Sequence, residues 1–137
     1  MFGNVKLSDK LFSKVEKGEK VESPGMKYKH YSPKTKCILV KMDSMQIEKV
    51  NNLIQQNDNC CVLGFAEDRQ YINVSNEMFI SLGSKENLEE ISSNIFSSLR
   101  RVDKLGCNLA IIEGVNEKNL GLSIMNRLIR ACEYNIV

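Results

Sequence analysis

The sequence predicts an α/β fold, a three-layer Rossmann-like sandwich around a mostly parallel sheet, preceded by an extended linker. Three observations lead there. From residue 36 onward, short apolar runs alternate with longer stretches of helical periodicity. The runs, such as CILV and CCVLGFA, are apolar throughout rather than at every second position, as strands covered on both faces are. Residues 23–33, SPGMKYKHYSP, follow neither period and hold both prolines and the single histidine. With 137 residues the chain is long enough for one domain with a core of its own.

The elements follow in order. SDKLFSKVEKG reads as a short helix: Ser8 caps it, Leu11, Phe12 and Val15 share a side, and Gly18 stops it. Residues 19–34 read as a linker that orders on contact, because Pro24 and Pro33 restrict the backbone and Gly25 frees it. TKCILVKM supplies a buried strand at 36–41. In DSMQIEKVNNLIQQ, Asp43 and Gln46 have capping-box spacing, and Ile47, Val50, Leu53 and Ile54 recur at helical intervals. CCVLGFA reads as a central strand, and QYINVS and EMFISLG are each candidates for a short one. Helix 88–104 is the clearest, with Asn87 and Glu90 as a capping pair, Leu88, Ile91, Ile95, Leu99 and Val102 on one stripe, and Gly106 closing it. CNLAIIEGV is another buried strand. The last helix, NLGLSIMNRLIRACEY, turns Leu120, Ile124, Leu128, Ile129 and Cys132 inward, and Met45 and Met125 read as core.

Composition excludes several classes. The longest apolar run, Cys60 to Ala66, is far short of the roughly 20 residues a membrane helix needs, so no membrane association is expected. The first ten residues carry no signal-like apolar stretch, which makes the cytoplasm the expected compartment. Five cysteines without C-x-x-C spacing read as reduced core thiols. On a strand the adjacent Cys60 and Cys61 point opposite ways, leaving one of them available to face solvent or act chemically. One histidine and scattered cysteines do not make a zinc site.

Net charge is +2 but uneven. Residues 1–41 hold ten lysines against Asp9, Glu16, Glu19 and Glu22, a balance of +6, and the remainder carries −4. The stretch 23–41 suits a solvated linker, and equally attraction to phosphate or an acidic surface. At 7%, the aromatic content gives no stacking platform, and no direct nucleic-acid binding is expected.

Neither a glycine-rich dinucleotide fingerprint nor a phosphate loop, nucleophile elbow or zincin motif occurs. A nucleotide or effector could still meet the C-terminal ends of parallel strands, where EGVNEKN leads from strand to helix. Glu113, Gly114 and Asn119 are the candidates there, against a plain connection with a glycine turn and an Asn119 cap. His30 titrates near neutrality but has no identifiable partner, which favours hydrogen bonding or packing over proton transfer. Tyr28 and Tyr31 suit closing over a ligand or an interface, and Lys27 and Lys29 suit phosphate.

SPGMKYKHYSP resembles the interdomain linker of two-domain threonylcarbamoyl-AMP synthases, whose pattern is S-P-G-M-[KR]-Y-x-H-Y-[AS]-P. IFSSLRRVDKLG is similar to that family's L-F-x-x-L-R-x-x-D segment, and NLGLSIMNRLIRAC to G-L-G-x-A-I-x-N-R-L-x-K-A. The resemblance runs over residues 3–134. It implies that residues 1–22 are the end of a preceding catalytic domain or a short helical tail, 23–34 a linker acting as a lid, and 35–137 a C-terminal accessory domain. It further implies that Ser23, Pro24, Gly25, Met26, Lys27, Tyr28, Lys29, His30 and Tyr31 face a ligand on a YrdC-like catalytic domain supplied in cis or in trans. That enzyme makes threonylcarbamoyl-AMP from L-threonine, bicarbonate and ATP with magnesium. The catalytic domain is too long to fit before Ser23, so no catalytic residue and no cofactor are expected in this segment alone. Lys29 stands where arginine is frequent and keeps the charge without the planar fork.

Overall fold

The computed structural model describes residues 32–137; the expected helix at 8–18 and linker residues 23–31 lie outside them. Strands β1 (Lys36–Val40), β2 (Cys60–Phe65), β3 (Phe79–Gly83) and β4 (Leu109–Glu113) form one sheet in the order β1-β4-β2-β3, with every pairing parallel. Among the described residues three α-helices accompany them: α1 (Gln46–Gln56), α2 (Leu88–Leu105) and α3 (Leu120–Ala131). β4 lies between β1 and β2, so Ala110 stands opposite Cys37 on one side and Cys61 on the other.

Parallel crossovers are right-handed because strands twist, so connections stepping in opposite directions across a sheet lie on opposite faces. The steps from β1 to β2 and from β2 to β3 run one way. They place α1 and the segment after β2 on one face, where Val50 and Ile72 pack with Val40, Val62 and Ile111. The step from β3 to β4 and the departure from β4 run the other way. Ile91, Ile95 and Leu99 of α2 and Ile124 and Leu128 of α3 therefore cover Leu39, Leu63, Ile80 and Ile112. Beyond α3 the chain returns to the edge of β1, where Leu39 N–H bonds Asn135 O and Val137 N–H bonds Leu39 O, each at 2.9 Å.

This is the predicted α/β arrangement of a parallel sheet between helical layers. α2 begins where the sequence places it, with Asn87 Oδ1 accepting the Glu90 N–H, and ends at Gly106, whose φ of 69° is the left-handed cap glycine adopts readily. Several expectations need correction. QYINVS is not a strand: residues 66–71 form a 3-10 helix, and Ile72 is buried against the α1 side from irregular backbone. Cys60 and Cys61 do point to opposite faces, but both faces are covered and both thiols are buried. Asp43 and Gln46 make no reciprocal capping box, because α1 starts at Gln46 itself; Asp43 Oδ1 accepts the Met45 N–H instead. Met45 is 45% exposed rather than core, whereas Met125 is buried.

Candidate functional site

Adjacent strands β2 and β4 send the chain in opposite directions from their C-terminal ends. In open α/β sheets such a divergence leaves a crevice where ligands bind. Here three side chains of the protein fill it: Glu113 from the end of β4, Asp68 from the turn after β2, and Lys85 from the loop after β3. Glu113 is 0% exposed and Asp68 3%. Glu113 Oε1 accepts the Phe65 N–H at 2.9 Å, and Asp68 Oδ1 meets Lys85 Nζ at 3.0 Å.

Burial, followed by a hydrogen bond with Asp68, pushes the Glu113 carboxyl up to about 8. Near neutral pH Glu113 therefore carries a proton. Among the described residues, the buried side-chain oxygens without an N–H or O–H donor are Asp68 Oδ2 and Glu113 Oε2. One proton shared across the pair satisfies both, so the apparent mismatch is resolved by protonation rather than by strain. The Lys85 ammonium also lies 5.5 Å from the Phe65 ring centroid. Burial pulls the Lys85 pKa down, but the bond to Asp68 and the charges of the surrounding carboxyl groups together outweigh it, and the net shift is upward.

Around this pair the loop after β3 is stitched down by carboxylates. Glu67 accepts from the Ser84 hydroxyl and from Lys85 N–H, and Glu90 Oε1 accepts from Ser84 N–H at 3.2 Å. The Ser84 bond, then the Lys85 one, holds Glu67 below the usual carboxylate range. On the other side, buried Gln46 donates through Nε2 to Val40 O at 3.1 Å and to Gly114 O at 2.9 Å, tying α1 to the ends of β1 and β4.

Of the strand-end residues singled out in the sequence, Glu113 and Gly114 lie at this crevice. Gly114 is closed in by Met125 and by Val40 O, where an added Cβ would meet each at 3.0 Å. Asn119 precedes α3 with φ 55° and makes no side-chain capping bond, so the expected Asn119 cap is absent. The linker residues 23–31 lie outside the described residues. Sequence reasoning missed Asp68 and Lys85. EDRQ and SKEN are polar strings, and only their position directly after two neighbouring parallel strands marks them.

Two surface hollows lie away from the pair. One of about 610 Å3 is bordered by residues 69–70 and 72–76, where Arg69 is already bonded to Ile72 O, Val74 O and Asn76 Oδ1. The other, about 540 Å3, lies where the chain enters the domain, between residues 32–37 and the end of α3. There Asp103, in the last turn of α2, accepts Lys34 N–H at 3.2 Å, Thr35 N–H at 3.1 Å and the Thr35 hydroxyl at 3.2 Å, while the Ser32 hydroxyl donates to Ala131 O at 3.1 Å. Among the described residues, no cluster of three or more His, Cys, Asp or Glu side chains is arranged to hold a metal ion, and no helix is long and apolar enough to cross a membrane.

A family model described as the C-terminal domain of threonylcarbamoyl-AMP synthase matches residues 4–132. The chain belongs to that family. Among curated relatives of this C-terminal domain, the threonylcarbamoyl-AMP synthase of Pyrococcus abyssi is 32% identical over 144 aligned positions, covering 100% of this chain and 39% of that protein. That of Schizosaccharomyces pombe is 35% identical over 127 positions, covering 80% of this chain and 29% of the relative. The domain thus spans well under half the length of these synthases. The crystal structure of P. abyssi Sua5 complexed with L-threonine superposes with a TM-score of 0.73 at 29% identity, covering 98% of this chain and 37% of that one. The C-terminal Sua5 domain of a Pyrococcus horikoshii protein gives 0.54 at 30% identity, over 77% of this chain and 98% of the other.

Proposed function

We propose that this chain is the accessory part of a threonylcarbamoyl-AMP synthase, contributing a lid and a positioning surface rather than a catalytic group. The enzyme makes threonylcarbamoyl-AMP and pyrophosphate from L-threonine, bicarbonate and ATP, for threonylcarbamoyladenosine formation in tRNA. Residues 23–34 are the linker acting as a lid, with residues 23–31 as its ligand-facing part, and a YrdC-like catalytic domain, in cis or in trans, is the partner that binds the three substrates. The observation carrying this reading is that the family match takes in linker and domain together, residues 4–132, against synthases of which this chain covers 39% or less.

The chemistry of the strand-end cluster supports the same reading. Glu113 and Asp68 are turned on each other and on Lys85, not toward an open cleft. The pair does not suit a divalent cation either, since an ammonium already neutralises Asp68 and Glu113 holds a proton near neutral pH. ATP and magnesium accordingly belong to the catalytic domain in this proposal. The lid supplies closure: Tyr28, His30 and Tyr31 over the pocket and Lys27 and Lys29 toward phosphate, excluding water from a carbamoyl group that hydrolyses easily.

The test is pyrophosphate release from ATP, L-threonine, bicarbonate and magnesium with this chain, with the catalytic domain, and with both. The expected result is no turnover by this chain and a mixture well above the sum of the parts. Equality of mixture and sum, repeated in a covalently joined enzyme with and without this segment, would reject an accessory role.

A further inference from the structure

We infer that Asp103 is a positioning residue of the synthase, anchoring residues 34 and 35, at the C-terminal end of the linker, to α2; this rests on the lid reading above. A carboxylate in the last turn of a helix sits at the negative end of the helix dipole, where it is disfavoured. Among the described residues, Asp103 in α2 collects Lys34 N–H, Thr35 N–H and the Thr35 hydroxyl, from two consecutive residues. Two successive backbone N–H groups aimed at one carboxylate fix the peptide between them, and hydrogen bonds to a charged acceptor are the stronger kind.

The residues just before are held as firmly. Pro33 is buried and has its φ fixed by the ring, and it restricts Ser32 ahead of it. The Ser32 hydroxyl is bonded to Ala131 O at the end of α3. Residues 32–35 are thus fastened to two different helices that pack on the same face of the sheet. A hinge would need slack at this point. The fastening makes residues 32–35 a mount, held by Asp103 on α2 and by Ala131 O on α3.

The experiment compares Asp103→Ala, Asp103→Asn and Thr35→Val in two measurements. In this chain, amide hydrogen exchange at Lys34 and Thr35 should accelerate at least about tenfold in Asp103→Ala, with the cores of β4 and α3 still protected. Thr35→Val, which removes one donor, should give a smaller change. In the synthase carrying the domain, Asp103→Ala should lower kcat and raise the yield of AMP relative to surviving threonylcarbamoyl-AMP. Asp103→Asn, which keeps one acceptor oxygen, should restore part of both.

Unchanged exchange at 34 and 35 would overturn the inference. So would faster exchange with unaltered kcat and product ratio in an enzyme that Tyr28→Ala impairs. If Tyr28→Ala and Asp103→Ala both leave synthesis untouched while exchange accelerates, the lid reading itself has failed.

Discussion

Glu113 on β4 accepts the backbone N–H of Phe65 on β2 through Oε1 at 2.9 Å, and Gly64 leaves open the space that the carboxyl fills. A Cβ at residue 64 would stand 2.6 Å from Glu113 Oε1 and 3.1 Å from the Phe79 ring. Gly64→Ala is therefore expected to push the carboxyl off its Phe65 donor and cost about 2 kcal/mol, from overpacking and a lost buried hydrogen bond. Urea unfolding checks this. An unchanged midpoint would mean that the carboxyl relaxes without loss.

The proton on Glu113 gives stability a pH slope of known sign. A carboxyl whose pKa is 4.5 unfolded and about 8 folded binds more protons in the native state between those values. Its contribution is fully present below 4.5, falls as pH rises by at most about 1.4 kcal/mol per unit, and is lost above about 8. Glu113→Gln keeps an acceptor for Phe65 N–H and supplies a permanent donor to Asp68. Thermal melts at pH 5 and pH 8.5, relative to the wild type, should show the variant gaining stability at the higher pH. Parallel pH profiles for the two proteins would contradict a buried neutral Glu113.

Gln46 joins three elements through one side chain, bonding the carbonyls of Val40 and Gly114 from the first residue of α1. Gln46→Leu keeps similar bulk but removes both donors. The expected loss is about 1–3 kcal/mol, the cost of buried carbonyls left unmet. Chemical denaturation measures it, and faster exchange at the start of α1 should accompany it.

All five cysteines are buried. Burial raises the Cys60 and Cys61 thiols, and a hydrogen bond with Cys37, then burial, raises Cys132. A thiol reagent added at neutral pH should leave the native protein almost unlabelled over minutes and modify every thiol once urea is present. Rapid labelling of Cys60 or Cys61 before unfolding would reinstate an exposed member of that pair.

Most of the architecture was legible because it rests on local signals. Continuous apolar runs reveal strands covered twice, and the Asn87 and Gly106 boundaries of α2 follow from capping chemistry that needs no distant partner. What escaped was set by tertiary placement. QYINVS alternates poorly and is only a candidate strand; Asn51 on α1 captures its backbone through Tyr71 O and Asn73 N–H instead. Glu113 was visible as a strand-end acid, whereas Asp68 sits in a polar string that gives no hint of being 3% exposed. The Asp68–Glu113 contact joins residues whose proximity depends on strand order, and strand order is not written in any one segment.

The return of residues 135–137 beside β1 has a bearing on self-association. A parallel sheet offers unpaired backbone groups along both outer strands, and such edges are templates for intermolecular pairing. Here the bonds from Leu39 N–H to Asn135 O and from Val137 N–H to Leu39 O occupy one of them, leaving β3 as the outer strand opposite among the described residues. β3 is five residues long, and its register with β2 breaks between Gly64 and Phe65. A short, irregular edge is a poor template, so the chain blunts strand addition by covering one margin and disrupting the other. Trimming those last three residues would leave the three helices in place and turn the β1 margin into an adhesive one.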